Sequence, residues 1–383
     1  MRIWVIGRGF PTKTNRMLGC FEFDQAQMLA RRGHEVIYPV VGMSLRRLNN
    51  FGRFDRLING VRVIEWQIPF GWPILSRAMV RKLSTQLKRC LYRKIMQQYG
   101  VPDVLHVHYP ALHQFAEFAE LQERGVKLVC TEHFSKVQNK TLEKQFLHNL
   151  RECVQHFDHI LCVGELLKQS IMELTGTTKE ITVVPNIVPE IFNYEKSNIR
   201  DRDGSFCFIG VGRLIKGKCF DLLIKAFLQE FKNYKQVKLD IVGGGEEYNR
   251  LSRLIKETHS EDQITLLSII NRQDIPEYYK RCDALVMSSN QETFGVPIIE
   301  AMASGLPVVT TDAMGFRSLF HKEHGYVVPA NDEIALGRAM KQMYENYNSY
   351  DRKAISEYAK RVFGEDAIYN KLYSLYIEKS TYK

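Results

Sequence analysis

The sequence predicts an α/β protein of two doubly wound, Rossmann-like domains. Three observations predict it. Short apolar strands alternate with amphipathic helical stretches along almost the whole chain, the pattern of parallel sheets with helical crossovers. The alternation breaks at "PNIVPEIFNYEKSNIRDRDGS" (185–205), a polar, turn-rich stretch with two prolines, and restarts with the strand "FCFIGVG" (206–212). The length, 383 residues, suits two domains better than one.

In the first half, strands are expected at 2–7, 35–41, 61–66, 103–107, 127–131, 159–163 and 181–184. Helical periodicity covers 20–32, 76–99, 111–124, 141–157 and 164–174. After 206–212, strands near 236–242, 263–267, 283–288 and 307–310 each neighbour a helix. The tail, about 364–380, is an aromatic-rich amphipathic helix expected to pack back on the first domain. The expected division is therefore 1–188, 189–363 and a returning helix in 364–383. No solenoid repeat is visible.

No apolar run approaches the roughly 18 residues that span a bilayer, and "MRIWVIG" reads as a first strand rather than a signal peptide. The eight cysteines lack any CxxC pair and suit small core residues in a reducing cytosol. A cytoplasmic protein is expected. The net charge of +10 is concentrated: residues 40–100 hold twelve Lys or Arg against Asp55 and Glu65, which accounts for the whole excess. Such a local excess points to an anionic surface or partner.

The chemistry-bearing stretch is "SSNQETFGVPIIEAMASGLPVVTTD" (288–312). Its helix is expected to start near Val296-Pro297, since proline suits a first turn. Glu292 then lies on the loop after a strand and Glu300 inside the helix. Loops at the carboxyl ends of parallel strands are where ligands bind, and a helix N-terminus there suits phosphate oxygens. Thr293-Phe294-Gly295 would present amides, with Gly295 allowing close approach. Paired carboxylates accept hydrogen bonds from sugar or ribose hydroxyls. Alone, the two glutamates could equally be a solvated loop acid and a helix-start acid. A second constellation adds weight: "GVGRLIKGKCFDLLIKAF" (210–227) places Arg213, Lys216 and Lys218 on a glycine turn ahead of a helix.

"GRLIKGKCFD" and "ETFGVPIIEAMASGLPVV" resemble the two donor-binding motifs of the family-four retaining glycosyltransferases of GT-B fold, in which two Rossmann-like domains face across a cleft. Looser likenesses are "PTKTNRMLGCFEFDQAQMLARRGHEV", "PDVLHVH", "LVCTEHFS", "ITVVPNIVPEIF" and "LDIVGGGEEYNRL". The resemblance implies that Arg213 and Lys218 bind the donor diphosphate, Glu300 the ribose hydroxyls, and Glu292 the transferred sugar. Amides near Phe294 and Gly295 would meet sugar or phosphate, His133 would touch the donor sugar, Gly19 would lie under the diphosphate, and Gly244 on the nucleotide side. The type is that of bacterial polysaccharide and glycolipid biosynthesis. It implies a hexose-type sugar moved, with retention and without a metal, from a UDP- or GDP-sugar to a lipid-linked or polysaccharide acceptor, with no separate cofactor. Departures are Cys219 and Cys20 at family glycines, Asn186-Ile187-Val188-Pro189 for Asn-Gly-Val-Asp, and "MGFRSLF" around Gly315.

Other signals weigh less. "DRD" (201–203) matches a manganese motif of another fold but sits in the linker, where a solvated turn is expected. His106 and His108 are read as facing opposite sides of their strand, unable to share a metal. "VIGRGF" (5–10) lacks the third glycine of a dinucleotide fingerprint. The basic helix 76–100 carries Met79, Leu83, Leu87, Leu91 and Ile95 along one apolar face. It reads first as an ordinary surface helix. Next comes contact with anionic lipid at the inner face of the plasma membrane, with "IPFGWPIL" (68–75) as a wedge, and last nucleic-acid binding, which no motif supports. The alternatives to a transferase are a sugar-nucleotide epimerase or phosphorylase of the same fold, or a non-enzymatic basic tether.

Overall fold

The computed structural model describes residues 1–10, 18–43, 52–68, 76–195 and 205–378. The "DRD" turn, Arg46, Arg47 and all of the wedge except Ile68 lie outside them. The chain divides into two compact units, Met1–Ile187 with the residues from Tyr369 on, and Val188–Ile368.

The first unit holds β1 (Arg2–Ile6), β2 (Glu35–Met43), β3 (Gly52–Ile58), β4 (Val61–Ile68), β5 (Val104–His108), β6 (Lys127–Glu132), β7 (His159–Cys162) and β8 (Ile181–Val183). They form one sheet in the order β3-β4-β2-β1-β5-β6-β7-β8. All neighbours run parallel except β3, which pairs antiparallel with β4 at the edge. The central strands are buried on both faces, which is why they read as continuous apolar runs. β3, "GRFDRLI", has a mostly exposed, cation-rich pattern, and the apolar-run criterion passes over it.

The second unit holds β9 (Phe206–Val211), β10 (Val237–Val242), β11 (Ile264–Leu267), β12 (Ala284–Met287), β13 (Val308–Thr311) and β14 (Gly325–Val328). Its sheet is parallel throughout, in the order β11-β10-β9-β12-β13-β14. One core face gathers Phe208, Leu223, Phe227, Phe231, Leu239, Val286 and Met340. The strand order reverses between β9 and β12. In the first unit the corresponding reversal lies between β1 and β5. Ligands bind outside the carboxyl ends of strands at such points.

Two readings of side-chain direction are corrected. His106 and His108 stack on the same face of β5, ring centroids 4.6 Å apart and 8° from parallel, because residues two apart on a strand share a face. In the helix Arg77–Tyr99, Met79 is 56% exposed, and among its described apolar residues only Leu91, Tyr92 and Ile95 are buried. The helix Glu365–Ile377 sends Tyr376 to His106 (Oη to Nδ1 2.5 Å), and Tyr369 to His34 (3.0 Å).

Candidate active site

The site of the second unit is built at the carboxyl ends of β9 and β12. After Val211 the chain enters the turn 212–218. The Leu214 amide donates to the Gly244 carbonyl (3.0 Å), and the Glu247 amide donates to the Leu214 carbonyl (3.0 Å). A methyl on Gly243 would stand 1.9 Å from the Gly212 carbonyl oxygen, and one on Gly244 would stand 2.4 Å from Ile269 Cγ1. The two turns are thus pressed together at a distance only glycine allows. Arg213 is exposed and forms no ion pair with a described residue. Cys219, the N-cap of the helix Phe220–Phe231, has φ 51° in the left-handed region where the family carries glycine.

β12 ends below Ser288 and Ser289. The Ser288 hydroxyl donates to the Lys218 carbonyl (2.8 Å), tying the two turns together. Ser289 donates to Glu292 Oε1 (3.0 Å), and Lys218 Nζ donates to the same oxygen. Lys218 and Glu292 are both partly buried, so the pair is better shielded than a surface ion pair. Gly295, φ 102°, caps the helix Val296–Ala303, which has Pro297 in its first turn. The first amides of any helix lack partners within it and carry the positive end of its dipole. Phe294 is buried against Phe316 (4.9 Å) and Phe363 (6.0 Å) and anchors the turn from below. Gly315 lies under it, its amide donating to the Phe294 carbonyl (3.0 Å). Glu300 is buried, and Arg272 Nη2 donates to its Oε1 (2.9 Å).

The first unit places Gly19 and His133 at its own strand reversal. Gly19 (φ 71°) caps the helix Cys20–Arg31, and a methyl there would stand 2.2 Å from the Gly9 carbonyl oxygen. Beside it Arg8 Nε donates to the buried Glu22 (3.0 Å), and the Arg8 guanidinium lies 4.0 Å over the Tyr109 ring. His133 follows β6, stacks on Tyr109 (4.9 Å) and meets His108 (Nε2 to Nδ1, 2.9 Å). Burial above all, then the Arg8 charge, lowers His133 to about 3. Buried Glu132 Oε1 accepts the amides of His133 and Phe134 at 2.8 Å each, and burial pushes its carboxyl up to about 7. Ser289, Arg8, Glu22 and Glu132 were not singled out as site residues in sequence. Arg272 reaches Glu300 and Arg8 reaches Glu22 across the chain, while Ser289 and Glu132 act on residues within three positions through burial and turn geometry.

Cys207, Asp240 and Cys282 bring possible metal-ligating atoms within 4.8 Å of one another. The two thiols are in direct hydrogen-bond contact, Sγ to Sγ 3.1 Å. The cluster includes the starts of β9 and β12, the end of the strands away from the site. Much of the basic stretch is internally matched. Lys88 pairs with Glu117 (2.9 Å), Arg62 with Asp55 (2.8 Å) and Arg93 with Glu120 (2.6 Å), while Arg53 lies 4.7 Å over Trp66. Among the described residues no helix is long and apolar enough to cross a membrane.

Two Rossmann-like units, one with a cationic glycine turn beside a Glu-x7-Glu loop and helix, define a GT-B glycosyltransferase. Family models agree: that of Glycosyltransferase Family 4 matches residues 23–190, and that of Glycosyl transferases group 1 matches residues 193–362. The chain belongs to this family. It is 23% identical over 362 residues to the N-acetyl-alpha-D-glucosaminyl L-malate synthase of Bacillus anthracis, covering 88% of this chain and 90% of that one. Among solved structures it resembles sucrose-phosphate synthase from Thermosynechococcus elongatus, with a TM-score of 0.76, 19% identity and 98% of both chains covered. It also resembles Anabaena HepE, solved in complex with UDP and glucose, with a TM-score of 0.71, 17% identity and 99% of both chains covered.

Proposed function

We propose that this glycosyltransferase moves a hexose-type sugar, with retention of configuration and without a metal, from a UDP- or GDP-sugar to a lipid-linked or polysaccharide acceptor at the cytoplasmic face of the membrane. The observation that carries the reading is the pairing of Lys218 with Glu292 on adjoining turns at the strand reversal. It sets a cation for a diphosphate beside a carboxylate for a sugar. The UDP and glucose held by HepE support a UDP-sugar.

In this reading Arg213, Lys218 and the amides at 294–296 receive the diphosphate. Breaking the sugar–phosphate bond adds negative charge to it, so these groups stabilise the transition state more than the ground state. They meet that charge with side chains and backbone, so the reaction needs no ion and EDTA leaves it unchanged. The sugar carbon turns cation-like, and Glu292, fixed by Ser289 and Lys218, stabilises it electrostatically. Glu300, held by Arg272, takes the ribose hydroxyls. His133 and Gly19 keep the roles the family resemblance gives them, against the donor sugar and diphosphate. The remaining exposed cations of 76–100 meet anionic headgroups near the acceptor.

The test compares Glu292→Ala with Arg213→Ala. Glu292→Ala loses turnover while UDP or GDP binding survives, and Arg213→Ala weakens both. Normal turnover in both variants contradicts the assignment.

A further inference from the structure

We infer that His108 is a positioning residue for the transfer: it holds His133 as a neutral imidazole with its proton on Nδ1. This rests on the proposed role of His133 at the donor sugar.

The hydrogen-bond partners assign the tautomers. His108 is buried, and its Nδ1 meets His133 Nε2 at 2.9 Å. One of the two nitrogens donates and the other accepts. The other His108 nitrogen, Nε2, is buried without a hydrogen-bond partner. An orphaned buried N–H is rarer and more costly than an unused acceptor lone pair. The His108 proton therefore sits on Nδ1 and is donated to His133 Nε2. With Nε2 accepting, a neutral His133 carries its proton on Nδ1. Asn186 also hydrogen-bonds the His133 side chain and favours its protonated form, as an acceptor does.

His108 is itself immobilised. It stacks on His106, whose Nδ1 meets Gln25 (3.0 Å) and Tyr376, and whose Nε2 meets Thr131 Oγ1 (2.7 Å). Glu132 fixes the backbone of the same turn through the amides of His133 and Phe134, and through that of Ala111 (3.3 Å). Burial keeps His108 and His133 well below the ordinary histidine range, so neither carries charge near neutral pH. His133 is only partly buried, which leaves part of its surface accessible to a ligand. With Nε2 turned to His108 and Nδ1–H to Asn186, the ring meets a sugar as a fixed neutral imidazole, neither a base nor a cation. This is the logic by which the partner of one imidazole nitrogen sets what the other can do.

The test begins with the wild-type full chain labelled with 15N-histidine. Two-bond 1H–15N correlation spectra read its tautomers, and His133 is assigned by the signals lost in His133→Gln. The expected result is a protonated Nδ1 and a bare Nε2. In His108→Ala the two tautomers mix. Turnover, read as nucleoside diphosphate released from whichever of UDP-glucose, UDP-N-acetylglucosamine or GDP-mannose the wild type cleaves, falls about tenfold, the scale of one hydrogen bond. UDP affinity is unchanged. His108→Asn, whose amide N–H can stand near the place of Nδ1–H, restores both tautomer and turnover, and guards against an alanine variant that does not fold. A protonated Nε2 in the wild type overturns the inference. So does normal turnover in folded His108→Ala when His133→Gln is impaired. Normal turnover in His133→Gln removes the role of His133 itself, and the inference falls with it.

Discussion

Adding one methyl at Gly315 should disable the diphosphate turn without unfolding the protein. A Cβ there would stand 2.0 Å from the Thr293 carbonyl oxygen and 2.8 Å from Phe294 Cα, both backbone atoms. Comfortable contact is about 3.5 Å, so the 293–294 backbone must move by on the order of 1 Å. A displacement of that size takes the amides at 294–295 out of hydrogen-bond range of a phosphate oxygen. Each hydrogen bond to a charged group is worth about 1.5–3 kcal/mol, so the loss of even one in Gly315→Ala should weaken nucleoside diphosphate binding about 10- to 150-fold. The assay is calorimetric titration with UDP and GDP, with folding checked by thermal unfolding. Gly176→Ala is the control. Its φ of 68° strains any side chain, but nothing lies within 4 Å, and it caps the helix Glu165–Thr175 of the other unit. It should cost about 1 kcal/mol of stability and leave affinity intact. A folded Gly315→Ala that binds within twofold of wild type would refute the assignment of this turn to the diphosphate.

Arg272→Leu releases Glu300 from its held position and should raise the donor KM about tenfold with a smaller effect on kcat, read from steady-state kinetics. Cys219→Gly relieves a left-handed backbone at a helix N-cap and should raise stability by up to about 1 kcal/mol, read by urea unfolding. A loss of more than that would contradict it. Burial pushes the Glu117 carboxyl up, but Lys88 and His113 outweigh it and hold it at about 2. A depressed carboxyl contributes stability above its ordinary value, and that stability is lost as pH falls from about 4.5 to about 2. Lys88→Met should cost about 3 kcal/mol at pH 7 and move acid unfolding to higher pH, read by circular dichroism.

The donor half was legible because its motif is local. Gly295, Pro297 and the apolar helix after them fix a strand–turn–helix in a dozen residues, and Glu292 is placed with them. What needed coordinates were contacts between distant segments: Arg272 on Glu300, Ser288 on Lys218, Gly315 under Phe294. The stacked pair His106 and His108 was misread because the strand period was misapplied, not because the signal was absent. Edge strand β3 escaped because its residues face solvent and carry charge. In the helix Arg77–Tyr99 the apolar stripe is continuous in sequence, yet Met79 at its start is exposed and Leu91 and Ile95 further along are buried.

The central claim is that the turns carrying Arg213, Lys218 and residues 293–295 bind the nucleoside diphosphate of a sugar donor. The most direct measurement is a thermal-shift series with UDP, GDP, ADP and CMP, and NAD as control, on wild type and Arg213→Ala. Ligand at 100 times its dissociation constant adds about 2.7 kcal/mol, a rise of several degrees for a unit of this size. The account predicts a shift with UDP or GDP that Arg213→Ala sharply reduces at the same ligand concentration. No shift with any nucleotide, or one undiminished by the loss of Arg213, would contradict it.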